Sequence, residues 1–152
     1  MEIEIDMMTD ILTMGKNART ASRSLGKLGT NKKNEVLLAV AEAIRANADY
    51  ILGENHKDVE QGKADGMKSG LLDRLTLTKA RIDGMADGVN QVAGLDDPVG
   101  EVLSMKKRPN GLLIGKKRVP FGVIAVIYES RPNVTLDTFG LCFKTGNAVI
   151  LK

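Results

Sequence analysis

The run Val123-Ile124-Ala125-Val126-Ile127 is continuously apolar and largely β-branched, the pattern of a strand covered on both faces. Pro132 and Asn133 then open a short crossover that Thr135 can cap, and Leu136–Lys144 fits a helix. Gly146 is suited to the left-handed stop of that helix, and Ala148-Val149-Ile150-Leu151 reads as a second buried strand. Strand, crossover helix, strand is a βαβ unit, the start of a parallel, doubly wound α/β sheet. Parallel sheets occur almost only with helices on each face, and nothing after Lys152 supplies them. The expectation is therefore the opening of a larger domain, halted inside its sheet.

Upstream, the chain reads as helix. Met7–Leu25 is helix-compatible, with Met8, Ile11 or Leu12, Ala18 and Ala21 at loosely helical spacing. Gly26 and Gly29 end it, and Thr30 or Asn31 can cap the next helix. There Leu37, Val40, Ala41, Ile44 and Ala48 form one apolar stripe, with Lys32, Lys33, Glu35 and Glu42 assigned to the opposite, solvated face. A third helical stretch, Asp49–Lys63, runs into a glycine-rich turn region, Gly62–Gly70. A fourth begins near Thr78 and carries Ile82, Met85, Ala86, Val89 and Val92, with Gly84 and Gly88 suggesting close packing. Asp96-Asp97-Pro98 ends this part. Pro109-Asn110-Gly111 is then a turn between Val99–Met105 and Leu112–Arg118, giving a long polar hairpin. A two-stranded ribbon is marginal alone, so it should lean on another domain or subunit.

Composition narrows the classes. With 43% hydrophobic and 27% charged residues in 152, the chain should fold as a soluble globular protein without metals or disulfides. The longest apolar runs are far shorter than the roughly 20 residues of a membrane helix. The acidic start Glu2-Ile3-Glu4-Ile5-Asp6 is unlike a targeting signal, and the single Cys142 fits a reducing cytoplasm. Lys106, Lys107, Arg108, Lys116, Lys117 and Arg118 form an acid-free basic segment that could meet nucleic-acid phosphates. No aromatic residue lies within it to stack bases, so a solvated or subunit-contacting hairpin is the preferred reading.

Familiar motifs are few. No two glycines are spaced i, i+2, so there is no Gly-x-Gly-x-x-Gly dinucleotide fingerprint. Gly111–Lys117 has one residue too few for a P-loop and no Ser or Thr after its lysine. His56 has no ligand partners at helical spacing, and Cys142, between Leu141 and Phe143, reads as a packed thiol. No metal site is expected.

The stretch Val119–Lys152 carries the information, above all Tyr128-Glu129-Ser130-Arg131-Pro132-Asn133 and Lys144-Thr145-Gly146-Asn147. It closely resembles the γ-glutamyl phosphate reductases (glutamate-5-semialdehyde dehydrogenases) of the aldehyde dehydrogenase superfamily. The likeness extends through Gly70–Leu75, Arg81-Ile82, Gly94–Glu101 and Asn110-Gly111-Leu112, nearly the whole chain. It implies NADPH-dependent reduction of γ-glutamyl phosphate to glutamate-5-semialdehyde in proline biosynthesis, through a cysteine thioester. It also implies a Rossmann-like cofactor domain without the glycine fingerprint, and a hairpin that serves as an oligomerisation arm.

By that resemblance Asn133 matches the asparagine that donates its amide to the oxyanion of the tetrahedral intermediate; its alternative role is helix capping. Tyr128, Glu129 and Ser130 should line the nicotinamide side, at the carboxyl end of the first strand. Arg131 is a candidate for a substrate phosphate or carboxylate, or else a structural ion pair. Lys152 matches a lysine that contacts the adenosine ribose and would suit the 2′-phosphate of NADP; otherwise it is a solvated end. The nucleophilic cysteine has no counterpart here, since Cys142 belongs to the crossover helix.

The expected organisation is a helical part of the cofactor domain at 1–100, a hairpin arm at 101–118 and the truncated NADP-binding sheet at 119–152. The expected function is the N-terminal part of a cytoplasmic reductase, inactive alone and paired with like subunits through the hairpin. A non-catalytic interaction module and a basic-hairpin nucleic-acid binder are the alternatives.

Overall fold

The computed structural model describes residues 2–129 and 131–152, with side chains from residue 10 onward; the Met8 side chain and Ser130 lie outside the described residues. The first helix, α1, spans Glu2–Leu25 and is followed by α2 (Thr30–Ala46), α3 (Ala48–Ala64), α4 (Ser69–Leu75) and α5 (Lys79–Gly94). The hairpin strands β1 (Val102–Lys107) and β2 (Leu113–Lys117) come next, then β3 (Val123–Val126), α6 (Pro132–Lys144) and β4 (Ala148–Leu151).

The core lies where α2, α5 and α6 meet. Leu37 and Ala41 of α2, Ala86, Val89 and Ala93 of α5 and Leu136 of α6 are buried together, flanked by Val40, Ile44, Met85, Val92, Phe139 and Phe143. These are the positions that a 3.6-residue period sets on one face of each helix. Lys33 departs from the expected solvated face, being only 1% exposed. The reason is periodicity itself: Lys33, Leu37 and Ala41 are each four apart, so the lysine belongs to the apolar stripe. Its ammonium reaches Asp97, 2.9 Å from Oδ2 and 3.2 Å from Oδ1, in the segment after α5. Thr30 does not cap α2. It is the first helical residue, and its hydroxyl donates to Asp97 Oδ2 at 3.0 Å.

Helix α4 is an addition to the expected elements, since seven residues show too little periodicity to predict; the turn region before it contains Gly66 at φ +73°. Buried Asn55 of α3 secures the α4–α5 connection, donating to the Leu75 carbonyl (2.8 Å) and accepting from the Leu77 N–H (2.7 Å). Thr78 caps α5 by accepting from the Arg81 N–H at 3.2 Å. The glycines of α5 are not demanded by packing: a Cβ on Gly84 would meet nothing within 4 Å, and one on Gly88 only an ordinary contact with Asp137.

β1 and β2 pair antiparallel, and Gly111 takes φ +86° in the turn. Both strands are exposed throughout. The ribbon is less polar than expected, since Val102, Leu103, Met105, Leu112, Leu113 and Ile114 are all exposed along it.

β3 and β4 pair in parallel, Val123 opposite Ala148 through Val126 opposite Leu151, which completes the expected βαβ unit. Helix α1 packs against both strands and α6 against β4. The cover is nevertheless partial: β3 stops at Val126, and Ile127, expected inside the strand, is 82% exposed. Gly146 (φ +74°) ends α6 as anticipated, its N–H reaching the Phe143 carbonyl while that of Asn147 reaches Cys142. This paired closure satisfies carbonyls that the last helical turn leaves without partners.

Candidate functional site at the start of the crossover helix

Proline at the first position of α6 needs no N–H partner there and forces the preceding residue out of helical geometry. Arg131 is accordingly the N-cap, extended at φ −132° and ψ 90°, with no side-chain cap bond. Asn133 therefore sits inside the first turn and does not cap the helix. Its Nδ2 donates instead to Asp137 Oδ2 at 3.2 Å, one turn on, and the amide stays exposed. Thr135 does not cap either: its hydroxyl pairs with the half-buried Tyr128 hydroxyl and ties the loop after β3 to α6.

Lys152 extends the parallel ladder beyond β4. Its N–H donates to the Val126 carbonyl (3.0 Å) and its carbonyl accepts from the Tyr128 N–H (2.9 Å), while its side chain is exposed. Tyr128 and Lys152 thus meet at the carboxyl end of the strand pair, where parallel α/β sheets bind ligands. Glu129 is exposed beside them, and Ser130 lies outside the described residues. A dinucleotide fits these residues in part. The Lys152 ammonium is available to a ribose or phosphate oxygen, whereas the Tyr128 hydroxyl is already engaged by Thr135.

Arg131 and Asn133 face elsewhere, into a cleft of about 410 Å³ shared with Asp73 and Arg74 of α4, Arg81 and Gly84 of α5, and Asp137 of α6. Arg74 and Arg81 carry no chemical signal in the sequence beyond their place in the Leu-Asp-Arg-Leu and Arg-Ile runs. The Arg81 guanidinium bonds the carbonyls of Asp73 and Thr76 and lies 3.0 Å from Asp73 Oδ1, fixing the end of α4 to α5.

Cys142 is a packed thiol, as expected. Burial pushes its pKa up, so at neutral pH it stays protonated and is a poor nucleophile. His56 is exposed on α3. Among the described residues no group of three His, Cys, Asp or Glu could hold a metal, and no helix is long and apolar enough to cross a membrane. In the basic segment, Arg118 pairs with Glu101 at 2.9 Å and the remaining lysines are exposed.

No family model matches the chain. It is 59% identical over 145 residues to the γ-glutamyl phosphate reductase of Lachnospira eligens, covering 95% of this chain and 35% of that protein. The γ-glutamyl phosphate reductase of Moorella thermoacetica is 54% identical over 148 residues, covering 97% of this chain and 35% of its own length. Among solved structures, the γ-glutamyl phosphate reductase of Thermotoga maritima superposes with a TM-score of 0.89 at 43% identity, over 92% of this chain and 34% of that one. The Saccharomyces cerevisiae enzyme gives 0.88 at 37% identity, over 92% and 36%. The chain thus spans about a third of the length of the relatives it matches.

Proposed function

We propose that this chain, which belongs to the γ-glutamyl phosphate reductase family, is the part of such a reductase that holds the reacting oxygen and begins the cofactor sheet. The observation that carries the reading is Asn133: an exposed amide in the first turn of α6, opening on a cleft that bears arginines. In acyl phosphate reduction a thiolate adds to the acyl carbon, and its oxygen gathers negative charge. Asn133 Nδ2 is the donor for that oxygen: its amide carries two N–H groups, so one can remain on Asp137 Oδ2 while the other serves the oxyanion. Phosphate then leaves as a thioester forms. A bound nicotinamide cofactor would supply the hydride that replaces sulfur at the acyl carbon, the C–S bond breaking to release the thiolate and glutamate-5-semialdehyde. Lys152 would hold the adenosine side of that cofactor, and a cation there favours NADP with its 2′-phosphate over NAD. A role in proline biosynthesis and a cytoplasmic location accompany this reading.

The thiolate does not come from Cys142, which is buried and protonated. The 152-residue chain alone should therefore show no NADPH oxidation with γ-glutamyl phosphate. Grafted in place of the matching third of the Thermotoga maritima reductase, it should support turnover, and Asn133→Ala in that chimera should lower kcat roughly 10²–10³-fold. NADPH oxidation by the chain alone that disappears in Cys142→Ala would overturn the assignment, as would an Asn133→Ala chimera of undiminished kcat.

A second reading concerns the hairpin. Its exposed Val102, Met105, Leu113 and Ile114, with no covering element among the described residues, support contact with another copy of the chain. Sedimentation should give a species larger than the monomer that Met105→Lys with Ile114→Lys shifts toward monomer. A wild-type chain that is monomeric at every concentration would refute it.

A further inference from the structure

Resting on the reading above, we propose that the cleft between α4, α5 and the start of α6 grips the far anionic end of the substrate, with Arg74 and Arg131 as its two cationic clamps. The argument is one of charges already used. Three guanidiniums and two carboxylates line the cleft. Arg81 is committed to Asp73 and to the carbonyls that end α4, while Asp137 accepts only from the neutral Asn133 amide and keeps its charge, so the cleft carries one net positive charge. Arg74 and Arg131 then have no carboxylate partner among the described residues. A planar guanidinium offers paired donors to an oxyanion, and two such forks converging on one cleft suit a carboxylate or phosphate group.

The walls are built to hold these groups in place. Arg81 and Asn55 anchor the end of α4, which carries Arg74. Pro132 and the bond from the Val134 N–H to the Arg131 carbonyl (3.1 Å) fix the backbone of the second arginine. Gly84 lines the same cleft without a side chain, and a Cβ there would meet nothing within 4 Å. The volume of about 410 Å³ suits a small metabolite. Asn133 lines the same cleft, so the two arginines and the amide assigned above to the reacting oxygen border one space.

The test is calorimetric titration of the 152-residue chain with glutarate and, separately, with inorganic phosphate, while amide NMR shifts are followed. Saturable binding is expected for glutarate, with shifts concentrated at 73–85 and 131–137. Arg74→Gln and Arg131→Gln should each weaken it roughly tenfold or more, with Arg74→Lys recovering part of the loss and Lys107→Gln on the hairpin changing nothing. Glutarate binding, with or without phosphate binding, supports the far-end assignment; phosphate binding without glutarate binding would place the reacting, phosphoryl end of the substrate in the cleft and overturn it. Absence of saturable binding, shifts elsewhere in the chain, or arginine variants no weaker than Lys107→Gln would overturn the proposal. Should either Gln variant fail to fold, the shift map of the wild-type chain decides alone. The reductase reading fails separately: an inactive chimera with cleft binding intact sinks that reading, whereas an active chimera with KM unmoved by Arg74→Gln sinks the cleft.

Discussion

Asp97→Ala should lower the unfolding free energy by about 3–5 kcal/mol, the usual cost of stranding one member of a buried ion pair. The Asp97 side chain is 7% exposed and that of Lys33 1%. The carboxylate accepts from the Lys33 ammonium, the Thr30 hydroxyl and the Val99 N–H. Its removal leaves an ammonium buried on the apolar stripe of α2 with no counter-charge among the described residues, and two further donors without their acceptor. Adding Lys33→Met should restore more than half of the loss, because an apolar pair avoids burying the ions at all. Urea titration of the single and double variants measures both; a single-variant loss below about 1 kcal/mol would refute the assignment.

The same pair sets an acid limit. Burial raises the Asp97 pKa, but the bonds from Lys33, Val99 and Thr30 and the Lys33 charge outweigh it and hold the carboxyl below its ordinary 3.8. A carboxyl depressed on folding stabilises the protein fully above its unfolded value and loses that contribution as pH falls through the folded one. The wild type should therefore lose stability only below about pH 4, and Asp97→Ala should show a flatter acid limb over that window.

How much of this was legible depended on the kind of signal. The βαβ unit was readable because three independent rules agreed: a β-branched run, a proline-led helix and a glycine in the left-handed stop at Gly146. Residue type alone puts Lys33 on the solvated face, whereas its four-residue spacing from Leu37 sets it on the inner one. Asn133 was identified through a resemblance, whereas its place inside the first turn follows from Pro132, which was visible all along. Arg74 was beyond reach, because its meaning arises only when α4 and the start of α6 meet across residues far apart in sequence. Side chains that act across such distances leave no periodicity to read.

Lys144→Ala should destabilise the chain by about 3 kcal/mol, and Lys144→Met by about 1–2 kcal/mol. Lys144 is 2% exposed at the end of α6, and its ammonium donates to Asn34 Oδ1 at 2.6 Å and to the Ala93 carbonyl at 2.9 Å. Both acceptors are neutral, but Ala93 belongs to the last turn of α5, where carbonyls without helical partners gather partial negative charge. Methionine keeps the packed stem and relieves the burial of an ion, so its cost is limited to two acceptors without donors. Alanine also empties the volume beneath α6, and the cavity adds its own cost. A methionine variant as stable as the wild type would mean that desolvation of the ammonium cancels its two bonds. A clear loss would make Lys144 a true clasp of three helices, α2 through Asn34, α5 through Ala93 and α6 through its own backbone. The clasp matters for function because the far end of α6 carries Asn133 and adjoins Arg131, and a helix fixed at its last turn presents its first turn in one place.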